Sequence, residues 1–159
     1  MYSVLFVCTA NICRSPMAVA LLKARITDNE EKWKIESAGV WAQPGYPAAE
    51  KTQVVAQRRG IDLSDHRSRP ITFQMVTEYN LVLTMERSHK EALHAAFPGY
   101  AKRIYLFWEM AGKFQDVVDP IGRTLADFED TGMEMDAILD LGFETICQLA
   151  RHTEDDNES

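Results

Sequence analysis

The chain has 159 residues, of which 46% are apolar, and a formal net charge of −7. That is enough apolar material for one core of domain size, and no low-complexity tract or linker interrupts it. The acidic balance excludes general affinity for nucleic acid and requires any anion site to be a local arrangement of donors.

Met1-Tyr2-Ser3 carries no basic region and the apolar run behind it is short, so neither a signal peptide nor a membrane span is expected. Three cysteines, an odd number, fit a reducing cytoplasmic setting better than a disulfide scaffold. Val4-Leu5-Phe6-Val7 reads as a short strand buried on both faces, with Cys8 at its carboxyl end. Ser15 as cap and Pro16 at the first helical position then predict a helix over 16–27, its stripe made by Ala18, Leu21, Leu22 and Ala24. After the polar break at 28–31, residues 33–37 alternate like a strand. The breaker-rich loop 38–47 leads to a second helix over 48–59, stopped by Gly60. Thr72 caps a short helix running to Val76, residues 80–85 form another buried strand, and 87–97 form a helix ended by Pro98-Gly99. A last strand occupies 103–107, and Met135, Ile138, Leu139, Phe143, Ile146, Leu149 and Ala150 recur at helical spacing, with Cys147 read as core. Repeated strand-then-helix order implies an α/β fold: one three-layer sandwich with a parallel sheet of about four strands and helices on both faces. The domain is expected over 1–151, and the acidic stretch 152–159, without apolar anchors, is expected to be disordered.

The chemistry is concentrated in the loop from Cys8 to Arg14. In an open α/β sheet, ligands sit at the carboxyl ends of the strands. A loop this short can curl so that successive backbone N–H groups form an anion nest, reinforced by the positive end of the following helix. Arg14 closes the ring with a planar fork that matches two oxygens of a phosphate. A thiol beside a cation at a helix N-terminus is favoured as the thiolate, which makes Cys8 a nucleophile facing the bound oxyanion. The bland alternative is a small buried hydrophobe at a strand end, which explains neither Arg14 nor the helix start. Transfer of a phosphoryl group to Cys8 needs an acid for the leaving group and then a base for water. Asp119 suits both roles, because Pro120 fixes the backbone behind it and Gly122 permits a tight turn; Asp116 is the second choice and reads as a solvated loop residue.

The run from Cys8 to Pro16 resembles the phosphate-binding loop of the low-molecular-weight protein tyrosine phosphatases, and the resemblance covers nearly the whole chain. Residues 36–40 look like that family's second strand and turn, residues 81–85 like a later strand, and Asp119-Pro120 like its acid. The resemblance implies that Cys8, Arg14 and Asp119 are catalytic. It also implies that Thr9, Ala10, Asn11, Ile12, Cys13, Ser15 and Ser37 bind phosphate or hold the loop. Asn11 further suits a left-handed backbone, and Thr9 and Ser15 are each able to donate to the Cys8 sulfur. By the same resemblance Cys13 is expected to form a reversible disulfide with Cys8 on oxidation. His66 resembles a family histidine near the pocket, but a lone histidine in a polar segment is expected to be solvated and is left outside the site. The eukaryotic members follow Asp-Pro with two tyrosines that wall the pocket. Ile121-Gly122 stands there in this chain, and Trp41 is the candidate aromatic wall.

The implied activity is hydrolysis of phosphotyrosine in proteins through a phosphocysteine, by a bacterial-type member. The alternative on the same scaffold is a protein-arginine phosphatase. Members of that kind resemble one another in having Thr where Ile12 stands here, so Ile12 points to phosphotyrosine. An arsenate reductase needs further cysteines to relay a disulfide, and none lies between Cys13 and Cys147; a phosphocysteine carrier needs neither Arg14 nor Asp119. No cofactor or metal is expected, since the four histidines lack partners at ligand spacing and His89 and His94 do not share a helical face. The expected partner is a phosphorylated protein, with no nucleic acid or membrane, met by a monomer or weak oligomer. Glu86-Arg87 and Arg58-Arg59 read as solvated charges.

Overall fold

A computed structural model describes residues 1–151; the acidic stretch expected to be disordered lies outside the described residues. Four strands, β1 (Tyr2–Cys8), β2 (Trp33–Gly39), β3 (Leu81–Thr84) and β4 (Ile104–Leu106), form one sheet in the order β2-β1-β3-β4. All three pairings are parallel. The carboxyl ends of the strands therefore share one edge, and Cys8 stands at it between two neighbours.

The sheet is covered on both faces, and the alternation within β1 shows how. Val4, Phe6 and Cys8 pack with α1 (Arg14–Arg25), α2 (Glu50–Gln57) and α5 (Leu125–Ala150), through residues such as Met17, Leu21, Val55, Met135 and Ile138. Leu5 and Val7 pack on the other side with Val76 of α3 (Phe73–Glu78) and Leu93 of α4 (Arg87–Ala96). Val4, Leu5, Phe6 and Val7 have no exposed surface, and burial of each such side chain contributes about 1.5–3 kcal/mol. The two buried faces explain the uninterrupted apolar run. A T-shaped contact between Phe6 and Phe107, 5.2 Å between ring centroids, carries this core toward the segment that ends at Asp119.

Helix boundaries follow local chemistry, with one correction. Thr124 accepts from the Asp127 amide at 3.2 Å while Asp127 accepts from the Thr124 amide at 3.1 Å, a reciprocal cap that starts α5. Thr72 caps α3 as expected. Ser15, by contrast, does not cap α1: the helix begins at Arg14 with Cys13 in the cap position, and Pro16 is its third residue. The Ser15 hydroxyl is engaged inside the loop instead, and proline is tolerated there because the first amides of a helix have no intrahelical acceptor. The Arg58-Arg59 doublet is not merely solvated either. Arg59 reaches Asp136 at 2.9 Å and Arg58 reaches Glu129 at 2.6 Å, fastening α2 to α5. Among the described residues no helix is long and apolar enough to cross a membrane.

Gly39 closes β2 against the loop that follows Cys8. A Cβ there would stand 2.4 Å from the Thr9 carbonyl oxygen, 2.8 Å from Ala42 Cβ and 3.1 Å from the Asn11 amide nitrogen. No side chain fits between the second strand and the loop. Gly39→Ala is expected to lower stability by about 1–3 kcal/mol in urea unfolding and to reduce turnover with it. Wild-type stability and turnover in that variant would refute the close approach.

Candidate active site

The loop is built with its polarity reversed, and the reversal creates the site. Five of its carbonyls are engaged by donors outside the ring: those of Cys8 and Thr9 accept from the amides of Val40 and Trp41 at 2.9 and 3.0 Å. Those of Ile12 and Cys13 accept from Ala49 and Met17 at 2.8 and 3.2 Å, and that of Asn11 from His66 Nε2 at 2.7 Å. The amides of residues 9–14 have no acceptor among the described residues. The same loop lines a cavity of about 160 Å³ through Cys8, Thr9, Ala10, Ile12, Cys13 and Arg14, with Asp119 and Ile121 completing its walls. A ring of unpaired amides is an anion site of the nest type.

Asn11 holds the ring in shape. Its backbone is left-handed, with φ of 60°, a conformation that asparagine tolerates. Its side chain donates to Ser15 Oγ at 2.8 Å and to Ser37 Oγ at 2.9 Å, while its Oδ1 accepts from the Arg69 amide at 3.0 Å. Both expected roles of Asn11, backbone and side chain, are therefore present. Ser15 Oγ in turn lies 2.9 Å from Cys8 Sγ. Thr9 does not share that role: its hydroxyl is 2.8 Å from His89 Nε2, because the side chain turns toward α4 rather than toward the sulfur.

Arg14 is 2% exposed, so its charge must be compensated. Nη1 donates to the Val117 carbonyl at 2.8 Å and Nη2 to Glu86 Oε2 at 2.7 Å. Asp119 Oδ2 stands 3.5 Å from Nη2. The Nε–H has no protein acceptor among the described residues. The guanidinium is thus held by two fixed acceptors with donor capacity left for a ligand. Asp119, 41% exposed, is itself oriented by the Ile121 amide, which donates to Oδ1 at 3.1 Å.

The structure therefore gathers Cys8, Thr9, Ala10, Ile12, Cys13, Arg14 and Asp119 around one cavity, with Asn11, Ser15 and Ser37 buried and hydrogen-bonded together behind it. Trp41 is joined to the loop through its backbone, but its indole is 80% exposed and is not among the cavity walls. Asp116 is neither a wall nor solvated alone: it accepts from the Arg87 amide at 2.8 Å. Glu86 and His89 escaped the sequence reading, and His66, although it resembles a family histidine, was left outside the site. Glu86 pairs with Arg14 rather than with solvent. His66, read as solvated, is half-buried on the Asn11 carbonyl, and burial pulls its pKa below the usual histidine range, which keeps it neutral. His89 is buried and bonded to Thr9. The available signal was position: Glu86 lies just past β3, on the ligand-bearing edge of the sheet.

Comparison with known proteins agrees with this geometry. The family described as low molecular weight phosphotyrosine protein phosphatase matches residues 3–149. The probable low molecular weight protein-tyrosine-phosphatase EpsP of Ralstonia nicotianae is 35% identical over 128 residues, 80% of this chain and 84% of that protein. The protein-arginine-phosphatase of Bacillus subtilis is 33% identical over 137 residues, 86% of this chain and 91% of that one. The crystal structure of a low molecular weight protein tyrosine phosphatase from T. tengcongensis superposes with a TM-score of 0.85 at 38% identity, covering 91% of this chain and 99% of that one.

Cys13 is 4% exposed, and burial, followed by the negative charges of Asp119 and Cys8, pushes its thiol up to about 12. It is therefore a thiol at neutral pH, and its thiolate fraction grows about tenfold with each unit of rising pH below that value. Once peroxide has taken Cys8 to the sulfenic acid, closure of a Cys8–Cys13 disulfide depends on that thiolate. Disulfide formation, followed by alkylation and mass mapping, is expected to accelerate about tenfold per pH unit between about pH 7 and 9. A closure rate flat across that range, or no Cys8–Cys13 link at all, would count against it.

Proposed function

The chain belongs to the low molecular weight phosphotyrosine protein phosphatase family, and from that premise we propose that it hydrolyses phosphotyrosine in proteins through a phosphocysteine. One observation carries the reading: Cys8 Sγ sits at the floor of a ring of unpaired amides, with a buried arginine on one side and a reachable carboxyl on the rim. In the first step the Cys8 thiolate attacks phosphorus while Asp119 gives its proton to the departing phenolic oxygen. The loop amides and Arg14 hold the phosphoryl oxygens as charge spreads over them, and their fixed positions require little reorganisation at that moment. The Ser15 hydroxyl, 2.9 Å from Sγ, stabilises the thiolate before attack and the leaving thiolate afterwards. In the second step Asp119, now a carboxylate, takes a proton from water, which attacks the phosphocysteine and releases inorganic phosphate.

The substrate assignment follows from the walls. Ile12 and Ile121 give the cavity apolar sides that suit an aromatic ring. Trp41, exposed beside the loop, is positioned to meet the protein around the phosphotyrosine. A reducing cytoplasmic setting fits three cysteines that are all free, and nothing in the mechanism calls for more than one copy of the chain. Phosphoarginine is the second reading, favoured by the similarity to the Bacillus subtilis arginine phosphatase. It uses the same residues, with Asp119 protonating a guanidino nitrogen.

Matched phosphotyrosine and phosphoarginine peptides test the assignment, with Cys8→Ser and Asp119→Ala alongside. Phosphotyrosine is expected to be preferred, with activity lost in Cys8→Ser by at least about 10³-fold. Asp119→Ala is expected to lose about 10²–10⁴-fold on phosphotyrosine, and less on p-nitrophenyl phosphate, whose leaving group needs less help from an acid. Preference for phosphoarginine with the same variant pattern would replace the substrate and keep the mechanism; hydrolysis of neither would overturn both.

A further inference from the structure

His89 is 3% exposed, lies in the first turn of α4 and is not a wall of the cavity. A buried imidazole is kept where its hydrogen bonds matter, and this one has a defined set. Its Nδ1 accepts from the Glu86 amide at 3.2 Å. The groups around it are Glu86 at the start of its own helix, Arg14 from α1, and Asp116 and Asp119 from the segment before α5; burial, with the Arg14 charge beside it, outweighs the three carboxylates and holds its pKa below the usual histidine range, so the ring is neutral. A neutral ring with Nδ1 as acceptor carries its proton on Nε2. That N–H lies 2.8 Å from Thr9 Oγ1 and 3.2 Å from Glu86 Oε2. The same Oε2 accepts from Arg14 at 2.7 Å.

From these contacts we infer that His89 is a positioning residue for the phosphate loop, tying Thr9, next to the nucleophile, to Arg14 at the other end through the Glu86 carboxylate. The inference rests on the phosphatase reading. A helix start does not need this arrangement, because backbone bonds from His89 and Lys90 to the Glu86 carbonyl, at 3.0 and 3.2 Å, already close the first turn of α4. What the imidazole adds is a buried N–H against Glu86 Oε2, on the carboxylate that is one-third exposed and holds Arg14. A carboxylate that swings carries the guanidinium with it. Arg14 must meet phosphoryl oxygens as they spread toward a trigonal-bipyramidal arrangement, so a loosened Glu86 weakens transition-state binding more than ground-state binding.

The test uses the full chain with p-nitrophenyl phosphate, and compares inhibition by vanadate, which adopts the trigonal-bipyramidal geometry, with inhibition by inorganic phosphate. Turnover in the wild type and its absence in Cys8→Ser report on the phosphatase reading separately. His89→Ala is expected to lower kcat about 10–100-fold and to weaken vanadate by a similar factor, while KM and phosphate inhibition stay within about twofold. His89→Gln, which restores an N–H near the Nε2 position, should recover most of that loss. Thr9→Val should reproduce part of it, and the double variant Thr9→Val, His89→Ala should be no worse than His89→Ala alone, because the two residues act as a unit. Wild-type kcat in a folded His89→Ala protein would overturn the inference, as would equal weakening of vanadate and phosphate, or additive losses. Should His89→Ala fail to fold, the ratio of vanadate to phosphate inhibition in Thr9→Val decides: a selective loss for vanadate supports the inference, and an unchanged ratio overturns it.

Discussion

The constraint on which the structure depends is the inverted polarity of residues 9–14. An anion nest needs amide hydrogens inside the ring, and the chain can turn them inward only if the carbonyls turned outward find donors. Those donors come from elements far apart in sequence: Val40 and Trp41 after β2, Ala49 before α2, His66 from a loop and Met17 within α1. Each is needed because a buried carbonyl without a partner costs about 1–3 kcal/mol. The second strand and its turn exist, in this sense, to hold the loop that follows the first. Gly39 shows how close they come, with room for no more than a hydrogen between β2 and the Thr9 carbonyl.

Electrostatics follows from the same arrangement. A chain of net charge −7 offers little long-range attraction to a phosphate, so the attraction must be made locally. Amide dipoles supply part of it without any formal charge, and the N-terminus of α1 adds to them. Arg14 supplies the rest, and its burial is made tolerable by acceptors on two sides: the Val117 carbonyl and the Glu86 carboxylate. Those acceptors also prevent rotation. The cation is fixed before a ligand arrives, as electrostatic preorganisation requires.

Much of this was legible in the residues, and the gaps have physical causes. Four parallel strands with covering helices follow from apolar runs alternating with amphipathic stretches, and every strand was located to within about two residues. Cys8, Arg14 and Asp119 were legible because the chemistry demands a nucleophile, a cation and an acid at one sheet edge. Ser15 was misread as a cap because serine before proline is a common helix start, and only the tertiary contact with Asn11 and Cys8 shows the hydroxyl to be used elsewhere. Glu86 and His89 were missed, and His66 was set aside as solvated, for a related reason. Their partners, Arg14, Thr9 and Asn11, are 72, 80 and 55 residues away, and side-chain pairing over such distances leaves no local pattern.

The two loop cysteines show how far a few ångströms of placement can separate chemically identical groups. Cys8 ends a strand and faces the amides of its own loop, with a serine hydroxyl at 2.9 Å. Cys13 holds the position before the helix, in the same apolar cluster and on the same cavity as Cys8, and there burial opposes its ionisation more than Arg14 and the Thr52 hydroxyl favour it. Negative charge on Asp119 or on Cys8 further opposes a second thiolate so close by. One loop therefore carries two cysteines five residues apart, of which Cys13 is held as a thiol by burial and by the negative charge beside it. The cap position at Cys13, rather than at Ser15, matters to the site as well as to the helix, because it leaves the Ser15 hydroxyl for Asn11 and for the Cys8 sulfur.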